Sequence, residues 1–416
     1  MSAPSPQSAR RTVRITVALL FAAWLVDYAD RLVINLVLPS LGAEFDLSRG
    51  QQGLIVSAFF LAYALAQIPG GMLADRYGAR RVTLWALLTW SAFTALTGFA
   101  WSFAVLLVLR FAFGAAEGVF PPAALKVLVE RTAPGERMAA NGLIMSSNAV
   151  AGVLTPLLVA PLIAAFGWRS AFFSTAALGV FVLVAVRLWL PAPLPRTEPA
   201  PGTLRGGARA VLRMGVVWRF SALMFGYSAI VWGFNTWVPS YLVDEHGVSL
   251  ATAGTLVAVP ALAAAGAIVA GGRISDRLGG HHRKVIVPAM AVASAMLLLT
   301  AYASSLTGFV VYGTLASVAV SLCYMPVLAV PLSGLAPEQV GVGSAVVVLG
   351  GQVAGMAVPP VVGALADAFS YQVAFASLVL GAVIAAVMAL LTPQDAASFR
   401  TATGASPHPA PAEESA

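Results

Sequence analysis

Apolar runs of about twenty residues recur along this 416-residue chain, and each is long enough to cross a bilayer as a helix. Charged residues make up only 10% of the chain, against about 25% in a typical soluble domain. A transmembrane β-barrel would instead show ten-residue alternating segments. The pattern therefore predicts an all-α integral membrane protein. Twelve transmembrane helices are predicted over 15–41, 51–74, 82–99, 102–128, 139–165, 170–190, 218–242, 250–272, 285–303, 306–331, 341–366 and 371–392.

Lysine and arginine residues concentrate in alternate loops, and the positive-inside rule assigns those loops to the cytoplasm. Arginines crowd the N-terminal segment 1–14, the loops after the second, fourth and eighth predicted helices, and a Pro/Gly-rich linker at 191–217. Both termini are therefore expected in the cytoplasm, including a tail over 393–416 that is predicted to be disordered. The net charge of +7 is interpreted as this topology signal rather than as a nucleic-acid surface, and the expected location is a bacterial-type inner membrane.

An internal repeat divides the chain into two related parts. The segment 71–78 (GMLADRYG) recurs as 272–279 (GRISDRLG), and the segment 151–172 independently parallels 354–375. The repeat predicts two pseudo-symmetric six-helix bundles, at 15–190 and 218–392. Parallel repeats of this kind are typical of transporters whose binding site lies at the membrane midplane between the halves.

Ionisable side chains within the predicted helices are expected to form a cluster. Asp30 and Arg31 in helix 1 lie at about the same depth as Arg110 in helix 4, and Glu117 lies two turns from Arg110 on the same face of that helix. An unpaired charge within the membrane is costly and is by default functional. No histidine lies in a predicted helix, so a proton carrier must be Asp30 or Glu117. Protonating a carboxylate would free its arginine for a substrate carboxylate. The alternative is a set of inert ion pairs that pin helices 1 and 4. Lys126 lies about 160° around helix 4 from Arg110 and is expected to be a snorkelling or interhelical residue near the cytoplasm.

The segment after the second helix combines glycines, an aspartate and arginines, and the second copy repeats the pattern. Gly71 and Gly78 permit close approach and a tight turn. Asp75 is expected to cap a neighbouring helix or to pair across the interface between the halves, which would lock one conformation. Positive-inside anchoring explains the arginines but neither Asp75 nor the glycines. The predicted gating residues are Gly71, Asp75, Arg76, Gly78, Arg80, Arg81, Gly272, Asp276 and Arg277.

These residues also carry a resemblance. The segment 71–81 (GMLADRYGARR) resembles the loop signature of the major facilitator superfamily, and the resemblance extends over about residues 15–392. Four segments are similar to the anion:cation symporter family, which includes bacterial hexuronate and galactonate carriers and vesicular glutamate and sialin carriers. These segments are 27–31 (DYADR), 57–71 (SAFFLAYALAQIPGG), 110–137 together with Gly167-Trp168-Arg169, and 232–242 (WGFNTWVPSYL).

The resemblance implies a role for several side chains. Asp30 and Glu117 would bind protons, Arg31 would contact the anion and Arg110 would couple the two. Tyr63 and Asn148 would line the pocket. The resemblance departs at Gln352, near which family members often carry an asparagine. Further candidates for the pocket wall, each otherwise a packing or interfacial residue, are Tyr28, Trp232, Asn235, Tyr324 and Gln352.

Together these features predict a secondary active transporter for proton-coupled symport of an organic anion, such as a sugar acid, an aromatic acid or a monocarboxylate. A proton-linked exporter or antiporter of a metabolite or drug is an alternative, although Arg31 and Arg110 oppose a cationic drug. A non-transporting membrane sensor is a second alternative, although the sequence shows no evident output domain. No nucleotide-binding loop, metal-ligand cluster or nucleophile–base constellation is found, so no ATP, cofactor, metal or enzyme activity is expected. The expected partners are the anion, protons and the lipid bilayer, without nucleic acid, and the expected state is a monomer.

Overall fold

The computed structural model describes residues 6–194 and 210–403, and almost all of them are helical. Short interruptions divide α4, α5, α10 and α12. The helices, numbered along the chain, are α1 (Pro6–Phe45), α2 (Arg49–Tyr77), α3 (Ala79–Thr97), α4 (Phe103–Val129), α5 (Arg137–Phe166), α6 (Arg169–Trp189), α7 (Gly215–Asp244), α8 (Leu250–Arg277), α9 (Arg283–Ala301), α10 (Leu306–Gly334), α11 (Pro337–Ala368), α12 (Tyr371–Leu391) and α13 (Ala396–Thr403).

Each of the twelve predicted runs falls on a helix, which confirms the all-α fold. Within the described residues, ten helices are long and apolar enough to cross a membrane by length and composition. Helices α1 and α3 are not among those ten, so the count of twelve remains a prediction. Helix α1 already begins at Pro6, and residues 6–14 therefore continue the first helix instead of forming a separate segment.

Serine residues begin five of the helices that start on the same face of the molecule. In each case the serine hydroxyl accepts a hydrogen bond from a backbone N–H of the first turn, which would otherwise have no partner. Ser48 forms a full capping box with Gln51. These caps explain why the helices begin where they do, and the five residues are Ser48, Ser102, Ser249, Ser305 and Ser370.

The buried apolar side chains form two large clusters, one from residues 17–190 and the other from residues 211–399. The two parts meet where a glycine of one packs directly on a proline of the other. A Cβ at Gly53 of α2 would lie 2.5 Å from the backbone nitrogen of Pro360 in α11, and a Cβ at Gly254 of α8 would lie 2.5 Å from the carbonyl oxygen of Pro156 in α5. Gly254 is the repeat counterpart of Gly53, so both interfaces need the smallest residue at the same place.

The C-terminal segment is more ordered than the sequence predicts. Residues 396–403 form α13, and the ring of Phe399 is fully buried, 5.9 Å from the ring of Phe220 between centroids. One aromatic anchor therefore holds a segment whose Pro/Ala-rich composition indicated disorder. The predicted disorder does not extend to 396–403. The remainder of the predicted tail, 404–416, and the linker residues 195–209 lie outside the described residues.

A buried histidine fixes the chain just before α13. His282, in the loop between α8 and α9, has its Nδ1 3.0 Å from the carbonyl oxygen of Gln394 and its Nε2 3.1 Å from the Thr392 hydroxyl. The neighbouring Arg283 donates to the carbonyl oxygens of Ala389 and Thr392. Burial lowers the pKa of His282, so the neutral ring is the form that this packing favours.

Candidate functional site

Arg31, halfway along α1, is the centre of a buried cluster of charges. Its Nη2 donates to Oδ2 of Asp27 at 2.8 Å, and its Nε lies 3.2 Å from Oε1 of Glu117 on α4. The guanidinium carbon lies 4.4 Å from the ring centroid of Tyr63 on α2. The Arg31 side chain is only 8% exposed, so two carboxyl groups and an aromatic ring replace most of its water.

Asp27 is the residue of this cluster that the sequence analysis missed. The sequence indicated two acids and two bases, whereas the structure brings together three carboxyl groups, and Asp27 is fully buried. Asp27 lies four residues before Arg31 in the same helix, a spacing that places both side chains on one face. That spacing was the available signal.

The other two predicted members of the cluster are not held by the same ion pairs. Asp30 accepts a 2.5 Å hydrogen bond from the hydroxyl of Thr94 on α3. Arg110 lies over the rings of Phe113 and Phe172, at 4.7 and 5.1 Å from their centroids. Among the described residues no carboxylate lies within 4.0 Å of its guanidinium, and its Nε and Nη2 have no hydrogen-bond partner. Asp30 and Glu117 are still close enough to act on Arg110 electrostatically.

Arg31 and Arg110 face one small enclosed cavity between α1, α2, α4 and α7. Its volume is about 10 Å³, which is room for roughly one water molecule. Trp232 of α7 closes it, with its ring 4.7 Å from that of Phe60 on α2 between centroids. Two guanidinium groups therefore share a cavity at the boundary between the two parts of the chain. The full lining is Arg31, Ile34, Asn35, Ile55, Val56, Phe59, Phe60, Arg110 and Trp232.

The remaining pocket candidates lie outside this cavity. Asn148 of α5 and Gln352 of α11 are half-buried, and each has a side-chain oxygen that is buried without a hydrogen-bond partner. Tyr324 of α10 packs against Tyr227, with 5.7 Å between ring centroids, and Tyr28 lies within electrostatic range of both. Asn235 is half-buried on α7. Of the polar candidates, only Arg31, Arg110 and Trp232 are brought to one cavity.

The end of α2 is tied to α4. Nζ of Lys126 lies 2.7 Å from Oδ1 of Asp75 and donates to the carbonyl oxygen of Ala74 at 3.0 Å. The expectation that Asp75 caps a helix or pairs across the two halves is therefore replaced by an ion pair within the first half. The expectation that Lys126 contacts another helix agrees with this geometry. Gly78 then has a positive φ of 89°, which only glycine adopts without strain.

The second copy of this motif has no such ion pair. Among the described residues, neither Asp276 nor Arg277 pairs with an opposite charge within 4.0 Å. The repeat places Ala329 where the first half has Lys126, so the partner side chain is missing. The glycines remain comparable: a Cβ at Gly71 would lie 3.8 Å from Pro122, and one at Gly272 would lie 3.6 Å from Met325.

The arginines on either side of Gly78 are not paired with acids in the described part of the chain. Arg80 donates to the carbonyl oxygen of Arg187 at 2.8 Å. Arg76 lies over the ring of Tyr77, and Arg81 lines an open groove between α3 and α6 together with Arg187. None of these four arginines is part of an ion pair among the described residues.

The opposite end of α2 carries a network that the sequence did not predict. Nη2 of Arg49 lies 3.2 Å from Asp244 of α7, and its Nη1 lies 3.6 Å from Asp367 of α11. Its Nε donates to the hydroxyl of Tyr371 in α12 at 2.9 Å, and that hydroxyl donates to Asp244 at 2.8 Å. The backbone N–H of Gly50 also donates to Asp367. One arginine therefore ties α2 to three helices of the second half.

Comparison with known proteins identifies the family and several relatives of this chain. The Major Facilitator Superfamily model matches residues 19–287 and 244–414. A probable sulfoacetate transporter of Cupriavidus necator is 30% identical over 64% of this chain and 66% of its own length, just under two thirds. A hexuronate transporter of Bacillus subtilis is 28% identical over 76% of this chain and 77% of its own length. A probable L-galactonate transporter of Escherichia coli is 26% identical over 73% and 72%, respectively.

A solved structure shares the fold. The chain superposes on a bacterial homologue of the human lysosomal transporter Spinster, in an inward-facing and unoccupied conformation, with a TM-score of 0.79. The superposition covers 97% of this chain and 98% of that one, at 20% identity. The likeness therefore concerns the arrangement of helices along the whole chain.

Proposed function

Because this chain belongs to the major facilitator superfamily, we propose that it is a secondary active transporter that carries a small organic anion together with protons by alternating access. The observation that supports this most directly is the pair of buried guanidinium groups, Arg31 and Arg110, which face one cavity beside buried carboxyl groups. A cation-binding site would have no use for two buried positive charges. A bound anion would supply the negatively charged partner that Arg110 does not have in contact.

The names of the relatives agree with this class of substrate. Sulfoacetate, hexuronates and L-galactonate are organic acids that are negatively charged at neutral pH, and transporters named for them match most of this chain. The feature that these acids share is a carboxylate or sulfonate, which a guanidinium can bind through two parallel hydrogen bonds.

Coupling follows from the partners of Arg31. In the structure Arg31 pairs with Asp27 and Glu117. Protonation of Glu117 would weaken its hold on the guanidinium, which then binds the substrate, while Asp30 beside Arg110 would be the other proton site. Tyr63 would orient Arg31 through its ring face. The pocket would be completed from helices farther along the chain by Asn148, Trp232, Asn235, Tyr324 and Gln352.

Alternating access needs closures at both faces. The Asp75–Lys126 pair and the adjoining Gly71, Arg76, Gly78, Arg80 and Arg81 would control one face, with Gly272, Asp276 and Arg277 as their counterparts. The Arg49 network would close the other. With both termini in the cytoplasm, as the arginine distribution indicates, the Arg49 network would lie on the outer face. Both closures belong to a single chain, so the proposed transporter acts as a monomer.

Uptake into proteoliposomes tests the proposal. Purified protein is reconstituted, a proton gradient is imposed, and accumulation of radiolabelled acids is measured for sulfoacetate, a hexuronate, an aromatic acid and a short monocarboxylate. We expect at least one to accumulate only with the gradient, and Arg31→Gln to abolish its binding because the fork of donors is lost.

The matched control is Arg219→Gln, which removes an exposed arginine at the start of α7. It should bind and accumulate the acid as the wild type does. Wild-type affinity in Arg31→Gln would remove the anion role of this residue. Accumulation that ignores the proton gradient would remove the proton coupling.

A further inference from the structure

The buried cluster contains more acid than base. Asp27, Asp30 and Glu117 are each at most 1% exposed. Among the described residues, the basic groups that act on them are the guanidinium groups of Arg31 and Arg110. If all three carboxyl groups were ionised, the cluster would carry a net negative charge in the buried interior, which is costly.

The other groups that face the cluster do not balance this charge. The titratable ones are the phenols of Tyr28 on α1 and Tyr63 on α2, and a phenol is neutral at physiological pH. The hydroxyl that α3 contributes, from Thr94, is not titratable in this range. Lys126 is engaged with Asp75 instead.

The geometry indicates where the missing proton belongs. The carboxyl groups of Asp27 and Glu117 both contact the guanidinium of Arg31, at 2.8 and 3.2 Å, which brings the two acids close to each other. Two ionised carboxylates side by side repel each other and can only accept hydrogen bonds, so a proton on one of the two makes their approach favourable. Apart from the ion pair of Glu117 Oε1 with Arg31, Oδ1 of Asp27 and the carboxyl oxygens of Glu117 have no hydrogen-bond donor among the described residues. Asp30 differs, because Thr94 donates to it and Arg110 lies beside it.

We propose that Asp27 and Glu117 share one proton in the empty protein and together hold Arg31, so that Asp27 is a third proton-binding carboxyl group of the site. The arrangement has the form of a carboxyl dyad, in which two close acids do not ionise together. In transport, which rests on the proposed function, Asp27 then competes with the substrate's anionic group for Arg31. To bind Arg31, the anionic group of the substrate must displace the carboxylate of Asp27.

Infrared spectroscopy of the purified, ligand-free full-length protein tests the shared proton. At about pH 7.5 exposed carboxyl groups are ionised, so a carboxylic-acid C=O band that shifts in D₂O reports a buried protonated group. We expect this band in the wild type, and we expect it to be lost or shifted in both Asp27→Asn and Glu117→Gln but retained in Asp30→Asn. Absence of the band in the wild type, or a band unchanged in both variants, overturns the proposal without reference to transport.

Anion affinity tests the competition. Asp27→Asn keeps the shape of the side chain but removes the charge that holds Arg31, so we expect the transported acid to bind about tenfold more tightly or better. The control Glu245→Gln, an exposed acid at the end of α7, should bind like the wild type. Unchanged or weaker binding in a folded Asp27→Asn overturns the competitor role. If no acid binds even the wild type, the proposed function fails, whereas the infrared result still decides the shared proton.

Discussion

At the scale of single residues, Arg110 shows how a membrane protein keeps a buried guanidinium without a carboxylate in contact. The two phenylalanine rings beside it provide a cation–π environment that replaces part of its hydration. They provide no hydrogen-bond acceptors, and two of its nitrogens remain without partners. A charge held in this way is costly, so its retention is best explained by a partner that arrives during function.

Glu117→Gln tests the proton role of the acid that contacts Arg31. We expect this variant to lose accumulation of the substrate against a gradient, because the carboxyl group that takes up the proton is gone, while exchange of labelled for unlabelled substrate continues. Counterflow and gradient-driven uptake are measured on the same proteoliposomes. Accumulation at the wild-type level would contradict the assignment, and Glu245→Gln again serves as the matched control.

Four charged residues of the site could be predicted because a charge inside an apolar run is conspicuous and costly. Their pairing could not. The sequence sets no distance between α1 and α4 finer than a helical turn. The direct contact of Arg31 with Glu117, and the lack of a carboxylate within 4.0 Å of Arg110 among the described residues, depend on how the two helices pack. Asp27 was available in principle from its i, i+4 spacing to Arg31.

At the scale of helices, the internal repeat preserves packing better than it preserves charge. Gly53 and Gly254 both abut a proline of the opposite half, whereas the ion pair of Asp75 with Lys126 exists only in the first half. Glycine contacts are required wherever two backbones approach, so both copies keep them. The ion pair depends on one lysine, and its counterpart is an alanine.

Asp75→Asn is expected to change the rate of transport more than the affinity for substrate, because Asp75 lies at the end of α2 and remote from the cavity. Initial rates and binding constants are measured in parallel. Asp276→Asn is the matched variant from the second half, and its effect should be smaller because no ion pair is lost there. A pure affinity effect of Asp75→Asn would contradict a role in the conformational change.

The burial of Phe399 makes α13 a structural part of the second half. Phe399→Ala should lower the free energy of unfolding by about 3 kcal/mol, through the lost contacts and the cavity left beside Phe220. Thermal unfolding of the purified protein checks this. Phe166→Ala, at a 75% exposed position, should change it little, and equal effects of the two variants would contradict an anchoring role for Phe399.

The packing of His282 against the chain just before α13 should be sensitive to acid. Because burial lowers the pKa of His282, the unfolded chain binds a proton more readily than the folded one once the pH falls below about 6.5. This histidine's share of stability is therefore present at neutral pH and is lost on acidification. Comparing thermal unfolding at neutral and mildly acidic pH, we expect a smaller loss in His282→Gln than in the wild type. An equal loss would exclude His282 as the cause.

At the scale of the whole molecule, the Arg49 network joins the two halves at one face. Its members come from α2, α7, α11 and α12, and Arg49 of α2 is separated from its partners on the other three helices by 195 to 322 residues in sequence. The halves and the all-helical fold followed from apolar runs and the repeat. The Arg49 network could not be predicted from the sequence, because it depends on how the two halves are oriented toward each other.

Arg49→Gln should open the face that the arginine distribution identifies as outer. The measurement is maleimide labelling of a cysteine introduced by Asn35→Cys, whose side chain lines the closed cavity. The single native cysteine, Cys323, is fully buried and should add little background. We expect faster labelling with Arg49→Gln but not with Arg169→Gln, which breaks an ion pair to Glu44 within one half. Equal rates in all three proteins would contradict a closing role.

All five ionisable side chains of the central cluster belong to α1 and α4, whereas the second half offers uncharged groups such as Trp232, Tyr324 and Gln352. The proposed proton-binding groups therefore lie in the first half of the chain. Most of the uncharged groups proposed to contact the rest of the substrate lie in the second half. Under the proposed function, mutations in the second half can retune which acid is accepted without dismantling the energy-conversion step.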